Sequence, residues 1–242
     1  MAVTAVSPRP ASLAEAACLA ELLPPGVTLA ALAGPGDSLP LPPAEAARAA
    51  SLPAGRAAEF AAGRWCAHRA LERLGCPEGD IDTGRQGEPR WPEGYGGSIT
   101  HKLGGAVAVA ALAPAAIGVD LEDAMPLPGA VRHLVLLPAE PDLVPGFPVP
   151  ALVAERIVFS AKEAYYKWHS QHDGTRRPGF ADVRIRLRAG GRRPASGSLR
   201  AVPVPGSGLP AALGGWVCGQ RWIVTAVWTD PAARPRLRAP VG

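Results

Sequence analysis

The sequence predicts an α+β protein of two similar lobes, each with a long helix packed on a small antiparallel sheet. Two long stretches have helical spacing, each is followed by several short apolar or alternating stretches, and a proline-rich segment separates the halves. The 242-residue chain is 48% hydrophobic and 19% charged. This composition supports a sizeable core and excludes a small module that depends on metal or disulfide staples.

The N-terminal lobe is predicted over residues 1–123. Its expected elements are, in order, a helix over 11–23, a strand over 26–33, a helical region over 42–74 that restarts at Pro53, and two strands, AVAVAAL and IGVDLE, on either side of Pro114. Since Gly75 directly follows the helical region, we expect the helix to end there. This order of elements predicts a helix packed beside a buried strand pair.

A linker is predicted over residues 124–150, which contain seven prolines. The C-terminal lobe then spans residues 151–242 and opens with ALVAERIVFSAKEAYYKWHSQ, which has helical spacing and no interior glycine or proline. The segments DVRIRLR, GSLRAV, GWVCG and RWIVTAVW follow and are typical of an antiparallel sheet. We expect the tail from Pro231 onward to be frayed.

Composition also limits the location and the partners. No run of 18 apolar residues is present, and no basic segment precedes an apolar stretch at the N-terminus, so we predict neither a membrane span nor a signal peptide and expect a cytoplasmic protein. The four cysteines match no zinc or disulfide pattern and are predicted to be reduced thiols. Residues 1–150 carry 10 basic and 16 acidic side chains, whereas residues 151–242 carry 15 basic and 5 acidic ones, which indicates an anionic partner for the second half.

Two carboxylates stand two positions apart in IGVDLE. On a strand, Asp120 and Glu122 project from the same face, and paired carboxylate oxygens suit a hard cation such as Mg²⁺. A solvated strand end carries the same residue types, so the motif alone does not decide between the two.

The segment FSAKEAYYKW places Glu163 and Lys167 four residues apart, on one face of the predicted helix. Together they offer a third carboxylate for a metal and a cation for phosphate oxygens, and Lys162 adds a second cation. An ordinary surface ion pair is the alternative. The protein has only three lysines, and two of them lie in this segment, which favours a function.

The segment GSITH follows a glycine pair and contains Ser98, Thr100 and His101. Glycines allow a ligand to approach the backbone closely, and an imidazole can donate to phosphate oxygens, although a lone histidine also serves as a structural hydrogen-bonding group. Upstream, Arg56 and Arg64 lie two turns apart on one predicted helix and can grip a phosphate if that helix faces the site, or else lie in solvent.

Taken in order, GRWCAHRAL, GEPRWP, GSITH, GVDLE and FSAKEAYYKW resemble the 4'-phosphopantetheinyl transferases, of the larger two-lobed type that acts on carrier proteins of peptide and polyketide synthases. The matching motifs extend from about Arg56 to Trp168. The resemblance implies a pseudo-twofold fold. It also implies Mg²⁺-dependent transfer of 4'-phosphopantetheine from coenzyme A to a serine of an apo carrier protein, with release of adenosine 3',5'-bisphosphate.

The resemblance further assigns roles to residues by position. Asp120, Glu122 and Glu163 match the metal ligands, and Lys167 matches a lysine that contacts phosphate. Glu163 is also our candidate for the base that takes the serine proton. The residues expected to bind coenzyme A are Arg56, Arg64, Arg85, Ser98, Thr100, His101 and Lys162. Arg85 stands beside the uncharged Gln86, and either of the two is near the position of a basic residue common in the family.

The strand DVRIRLR alternates Arg184, Arg186 and Arg188 with apolar residues, so one of its faces is cationic. We expect this face either to steer an acidic carrier protein toward the cleft or to be an ordinary solvent-facing surface. The alternatives in function are another Mg²⁺-dependent phosphate-cleaving enzyme such as a nuclease, and a nucleic-acid-binding protein. Because two lobes in one chain can complete the site, we expect a monomer.

Overall fold

A computed structural model of the protein describes residues 13–229, except positions 35, 37–38, 78, 85–86, 103, 114, 142, 144, 172–176 and 191–193. The described helices are α1 (Ala14–Ala20), α2 (Pro43–Ala50), α3 (Ala54–Glu72), α4 (Gly129–Val135) and α5 (Ala151–His169), with a short 3-10 turn at Phe180–Asp182. The described strands are β1 (Val27–Ala33), β2 (Asp82–Thr83), β3 (Pro89–Arg90), β4 (Tyr95–Lys102), β5 (Gly105–Leu112), β6 (Ile117–Asp123), β7 (Val183–Ala189), β8 (Ala195–Pro203), β9 (Ala212–Cys218) and β10 (Trp222–Thr229).

The strands form two main antiparallel sheets. One has the order β1-β5-β4, and the other has the order β6-β10-β9-β8-β7. The short strands β2 and β3 pair separately. The predicted α+β class with antiparallel sheets is therefore confirmed.

Each main sheet packs against one long helix. Helix α3 covers the three-stranded sheet, and α5 covers the five-stranded sheet. A proline precedes each helix: Pro53 is the N-cap of α3 and Pro150 is the N-cap of α5. Both helix starts were predicted from the sequence, because proline is compatible with the first turn of a helix but not with its interior.

The end of the first lobe and the structure of the GSITH segment differ from the sequence-based expectation. The predicted N-terminal lobe ends after β6, yet β6 pairs with β10 and so belongs to the five-stranded sheet. The GSITH segment, which we did not predict as a strand, lies within β4. It begins with a glycine, which is disfavoured in strands, and its pairing with β5 decides its conformation. The predicted frayed tail from Pro231 lies outside the described residues.

The remaining composition-based predictions concern thiols and membranes. All four cysteines are free, and Cys66 and Cys218 are buried. Burial raises the pKa of the Cys66 thiol to about 12 and that of Cys218 to about 11. No helix in the described ranges is long and apolar enough to cross a membrane.

Gly118 on β6 lets α5 approach the sheet closely. A Cβ atom at this position would overlap the carbonyl oxygen of Ala164 and the amide nitrogen of Trp168, which both belong to the α5 backbone. Only a residue without a side chain fits between the strand and the helix. This contact sets the distance between the carboxylates of β6 and the polar side chains of α5.

We predict that Gly118→Ala destabilises the protein by about 3 kcal/mol, because the added methyl group must displace backbone that cannot move cheaply. Urea denaturation of the purified variant measures this loss. The matched control is Gly129→Ala at the start of α4, where an added Cβ meets nothing within 4 Å. Equal stability of the two variants would contradict the close packing of α5 on β6.

Candidate active site

The acidic residues of β6 face helix α5. Val119 and Leu121 alternate with them and pack into the core on the other side of the sheet. Asp120 and Glu122 therefore share the face that meets α5, as the period of a strand predicts. Both carboxylates are buried.

Asp120 is the most connected of these carboxylates. Its Oδ1 accepts a hydrogen bond from Lys167 Nζ at 2.8 Å, and its Oδ2 accepts one from Ser160 Oγ at 2.9 Å. Thr100 Oγ1 donates to Oδ1 at 3.3 Å. Asp120 thus ties β6 to α5 on one side and to β4 on the other.

Glu122 is held by two cations. Lys102 Nζ and Arg156 Nη1 each lie 2.9 Å from its Oε2 atom. The pKa of Glu122 is raised above its ordinary value. Burial is the main cause and the charge of Asp120 adds to it, whereas the hydrogen bond from Lys102 opposes the rise. Neither Lys102 nor Arg156 was predicted from the sequence.

Glu163 completes the carboxylate cluster from the side of α5. Within the described residues its carboxylate makes no hydrogen bond or ion pair. Burial raises its pKa, and the charges of Asp120 and Glu122 raise it further while Lys167 lowers it. Since the charges of Asp120 and Glu122 contribute to this shift, Glu163 lies within electrostatic range of both.

Cationic side chains pair with two of the three carboxylates. In the described part of the chain, no three His, Cys, Asp or Glu side chains are already arranged to hold a metal ion. Instead, Lys167 is paired with Asp120, and Lys102 and Arg156 are paired with Glu122. Three carboxylates thus lie beside three cationic side chains.

A single stripe on α5 supplies most of the polar groups that reach this cluster. Arg156, Ser160, Glu163 and Lys167 follow one another at intervals of four, three and four residues, which is the spacing of one helix face. We predicted Glu163 and Lys167 but missed Arg156 and Ser160. The helical interval from Glu163 is the signal that would have identified both.

Two hydroxyls of GSITH join the two sheets. Ser98 Oγ accepts a hydrogen bond from Val119 N at 3.1 Å, and Thr100 Oγ1 accepts one from Leu121 N at 3.2 Å. The hydroxyl of the buried Thr100 thus accepts one hydrogen bond, from Leu121, and donates another, to Asp120. The structure therefore gives Thr100 a positioning role and corrects its assignment as a coenzyme A ligand. Ser98 also lines the adjacent cleft.

His101 lies next to Arg56. Arg56 Nη1 is 3.0 Å from His101 Nε2, and Glu59 Oε2 lies 3.1 Å from the same guanidinium nitrogen. Burial and then the charge of Arg56 lower the pKa of His101, so the imidazole is neutral at pH 7 and accepts a hydrogen bond from Arg56.

Arg64 does not join Arg56 but turns into the protein. It is 3% exposed, lies over the ring of Phe60, and donates to Asp82 O and to Thr83 Oγ1 at 3.3 and 3.0 Å. Among the described residues its Nη1 atom has no hydrogen-bond partner, and burial lowers the pKa of the guanidinium. An unsatisfied buried guanidinium nitrogen is uncommon, and an anionic ligand would satisfy it.

Lys162 has a structural role. It is 2% exposed, and its ammonium donates to Glu140 Oε2 and Val135 O at 2.7 Å and to Phe180 O at 2.9 Å. An ammonium group has three hydrogens, and all three are used inside the protein. Its assignment as a coenzyme A ligand is therefore corrected. Arg85, with Gln86, lies outside the described residues.

A cleft of about 680 Å³ opens beside Lys167. Its wall includes Trp91, Ser98, Tyr166 and Arg177, so it lies between β4 and the end of α5. Sequence analysis did not single out Trp91 or Tyr166 as site residues, although both belong to motifs that it quoted. The cleft provides room for a ligand that reaches the carboxylate cluster.

The arginines of β7 face away from this cleft. Ile185 packs against α5 with the core, so Arg184 and Arg186 project from the opposite face of the sheet. The alternation of an apolar and a cationic face is confirmed, but this cationic face does not line the site.

Comparison with known families finds two matches. Residues 44–111 match the model of the 4'-phosphopantetheinyl transferase N-terminal domain, and residues 116–204 match the model of the 4'-phosphopantetheinyl transferase superfamily. The boundary between the two matches lies just before β6. The second match contains the whole predicted carboxylate cluster.

Individual proteins also resemble this chain. The 4'-phosphopantetheinyl transferase Svp of Streptomyces mobaraensis is 36% identical over 195 residues, which cover 76% of this chain and 77% of that protein. The 4'-phosphopantetheinyl transferase PptT of Mycobacterium tuberculosis is 41% identical over 162 residues, 65% of this chain and 66% of that protein. Enterobactin synthase component D of Salmonella austin is 35% identical over 131 residues, 54% of each chain.

We predict that Lys162→Met lowers the free energy of unfolding by about 3–5 kcal/mol, because it leaves the carboxylate of Glu140 buried without its cation. Chemical denaturation measures this loss. Under conditions in which the Lys162→Met variant is folded, isothermal titration calorimetry should show that it binds coenzyme A with the same affinity as the wild type.

The control is Arg69→Met, which breaks the exposed ion pair with Glu72 and is expected to change stability by less than about 1 kcal/mol. A weaker affinity for coenzyme A at unchanged stability would restore Lys162 to the binding site.

Proposed function

Because the chain belongs to the 4'-phosphopantetheinyl transferases, we propose that Asp120, Glu122, Glu163 and Lys167 form its catalytic centre. The enzyme transfers 4'-phosphopantetheine from coenzyme A to a serine of a carrier protein. The observation that supports our assignment is the ion pair between Lys167 on α5 and Asp120 on β6. Glu122 lies on the same strand face as Asp120, and Glu163 lies one helical turn from Lys167. Neither of the alternatives, a nuclease-like enzyme or a nucleic-acid-binding protein, has support in the comparisons.

The donor set fits a magnesium ion. Carboxylate oxygens are the ligands that Mg²⁺ takes in proteins, and Asp120, Glu122 and Glu163 each offer two of them. We therefore propose that Asp120, Glu122 and Glu163 hold Mg²⁺. When bound, the ion supplies positive charge close to the pyrophosphate of coenzyme A.

Lys167 and Glu163 have separate tasks in the transfer. The serine oxygen bonds to the β-phosphorus of coenzyme A while the bond from that phosphorus to the leaving phosphate oxygen breaks, which releases adenosine 3',5'-bisphosphate. Lys167 leaves Asp120 to donate to phosphate oxygens, where negative charge grows. Glu163 takes the serine proton, since its carboxylate has no partner among the described residues and its pKa is raised by burial.

The far end of coenzyme A is assigned to the region around α3. Arg56 and His101 lie in mutual contact at the edge of the site, and the unsatisfied Nη1 of Arg64 offers one more donor. Arginine donors match phosphate oxygens in geometry and charge. We propose that these three residues bind the 3'-phosphate, and we keep Arg85 and Ser98 as proposed contacts of coenzyme A.

Membership in the family also bears on the partner and the organisation of the molecule. The enzyme acts on apo carrier proteins, and we propose that it does so as a monomer with two pseudo-twofold lobes. Two long helices, each on its own antiparallel sheet, support the two-lobed division. The preference for acyl or peptidyl carriers of peptide and polyketide synthases, the lack of a nucleic-acid partner and the cytoplasmic location remain predictions.

We predict that Glu163→Gln lowers the transfer rate by at least about a hundredfold, because it removes both a metal ligand and the proposed base. The measurement is intact-mass spectrometry of an apo carrier protein incubated with coenzyme A, Mg²⁺ and enzyme, with and without a chelator. The wild type should add one phosphopantetheinyl group, and the chelator should prevent the addition.

Glu72→Gln makes the same chemical change at the exposed end of α3 and should leave the rate within about twofold of the wild type. Full activity of Glu163→Gln would exclude Glu163 from the centre.

We predict that Arg64→Ala reduces the preference for coenzyme A over dephospho-coenzyme A by about tenfold or more in kcat/KM, with the larger change in KM. Steady-state kinetics with both donors measures the preference. A purely structural role would weaken the use of both donors equally, because dephospho-coenzyme A lacks only the 3'-phosphate. An unchanged ratio would therefore remove Arg64 from the phosphate site.

A further inference from the structure

Lys102 stands at the end of β4 and reaches the carboxylate cluster from the side opposite to α5. Its Nζ lies 2.9 Å from Glu122 Oε2 and 3.5 Å from Asp123 Oδ2. Within the described part of the chain, the ammonium group makes these two contacts and no others. Its side chain is 30% exposed and lines an open pocket together with Glu59, His101 and Arg221.

Arg156 binds the same oxygen of Glu122 but cannot move in the same way. Its Nη1 is 2.9 Å from Glu122 Oε2, while its Nε and Nη2 donate to Met125 O and Pro126 O at 3.1 and 2.8 Å. Three fixed bonds anchor this guanidinium to the chain that follows β6. Of the two cations on Glu122, only Lys102 is free to leave.

Most charges of the carboxylate cluster are compensated within the protein. Lys167 is paired with Asp120, and both Lys102 and Arg156 are paired with Glu122, so three cations accompany the three carboxylates. A divalent cation that binds alone adds two positive charges to a partly buried site, which is unfavourable. The pyrophosphate of coenzyme A supplies the negative charge that offsets them.

We propose that Lys102 is a movable counter-ion, which neutralises Glu122 in the free enzyme and transfers to a phosphate oxygen when the metal and coenzyme A bind together. The inference rests on the proposed function, since it needs Glu122 as a metal ligand. Two ligands that share one displaced counter-ion bind cooperatively, and each raises the affinity of the other by the same factor. Lys102 is therefore a positioning residue that couples the two ligands.

The test uses Mn²⁺ as the probe, with free Mn²⁺ followed by electron paramagnetic resonance in the presence and absence of coenzyme A. The wild type should bind Mn²⁺ at least about tenfold more tightly with coenzyme A than without it. Lys102→Met should bind Mn²⁺ alone about tenfold more tightly than the wild type, because its competitor for Glu122 is gone. The factor by which coenzyme A raises the affinity for Mn²⁺ should therefore be smaller in Lys102→Met than in the wild type.

Two controls isolate the local effect from the change in net charge. Lys102→Arg keeps the positive charge and should behave like the wild type. Arg186→Met removes a positive charge on the far face of β7, away from the cluster, and should also behave like the wild type. Circular dichroism and the melting temperature verify that each variant is folded.

The outcomes separate this inference from the proposed function. If the wild type binds Mn²⁺ with coenzyme A but Lys102→Met binds Mn²⁺ alone no better than the wild type, the role of Lys102 is wrong and the metal site stands. If the wild type binds no Mn²⁺ even with coenzyme A, the metal assignment and the role of Lys102 both fail. Glu163→Gln, which should abolish Mn²⁺ binding under both conditions, tests the metal assignment by itself.

Discussion

The junction between β4 and β6 is the contact on which the site depends. Each strand lies at the edge of its own sheet, and the edge of β6 presents backbone amides that need acceptors. Ser98 and Thr100 supply these acceptors to Val119 and Leu121 with their side-chain oxygens. Hydroxyl groups of β4 thus replace a backbone ladder and hold the two sheets side by side.

This junction brings together chemistry from distant parts of the chain. Ser98, Thr100 and Lys102 share one face of β4, so the row that joins the sheets ends in the lysine that binds Glu122. On the other side of β6, the absence of a side chain at Gly118 lets α5 come close enough for Ser160 and Lys167 to reach Asp120. The carboxylates are therefore contacted by two elements, β4 and α5, and each element contributes its own cationic side chains.

Charge compensation makes such a cluster compatible with folding. Three buried or half-buried carboxylates without partners would be strongly unfavourable, and their pKa values would rise until they bound protons. Lys102 and Arg156 limit that rise at Glu122. Lys167 forms an ion pair with Asp120, whereas Glu163 has no ion pair within the described residues. These cations stabilise the carboxylates of the free enzyme, and the proposed displacement of Lys102 and Lys167 by ligands couples stability to ligand binding at this site.

The sequence by itself determined the elements and the chemical types at the site. Proline at the helix starts, alternation along the strands and the four-residue interval from Glu163 to Lys167 depend only on local geometry, so they could be recognised without a structure. The ordered motifs identified the family for the same reason, since motif order is a property of the chain.

Only the tertiary structure decided which of two similar residues does which task. Lys162 and Lys167 are neighbours in one motif, yet the helix turns Lys162 into the core against Glu140 and Lys167 toward Asp120. The membership of β6 in the second sheet, the inward direction of Arg64 and the pairing of Lys102 with Glu122 also depend on contacts between segments far apart in sequence. Local patterns specify which face a residue occupies, but what lies opposite that face is set by the packing of the whole chain.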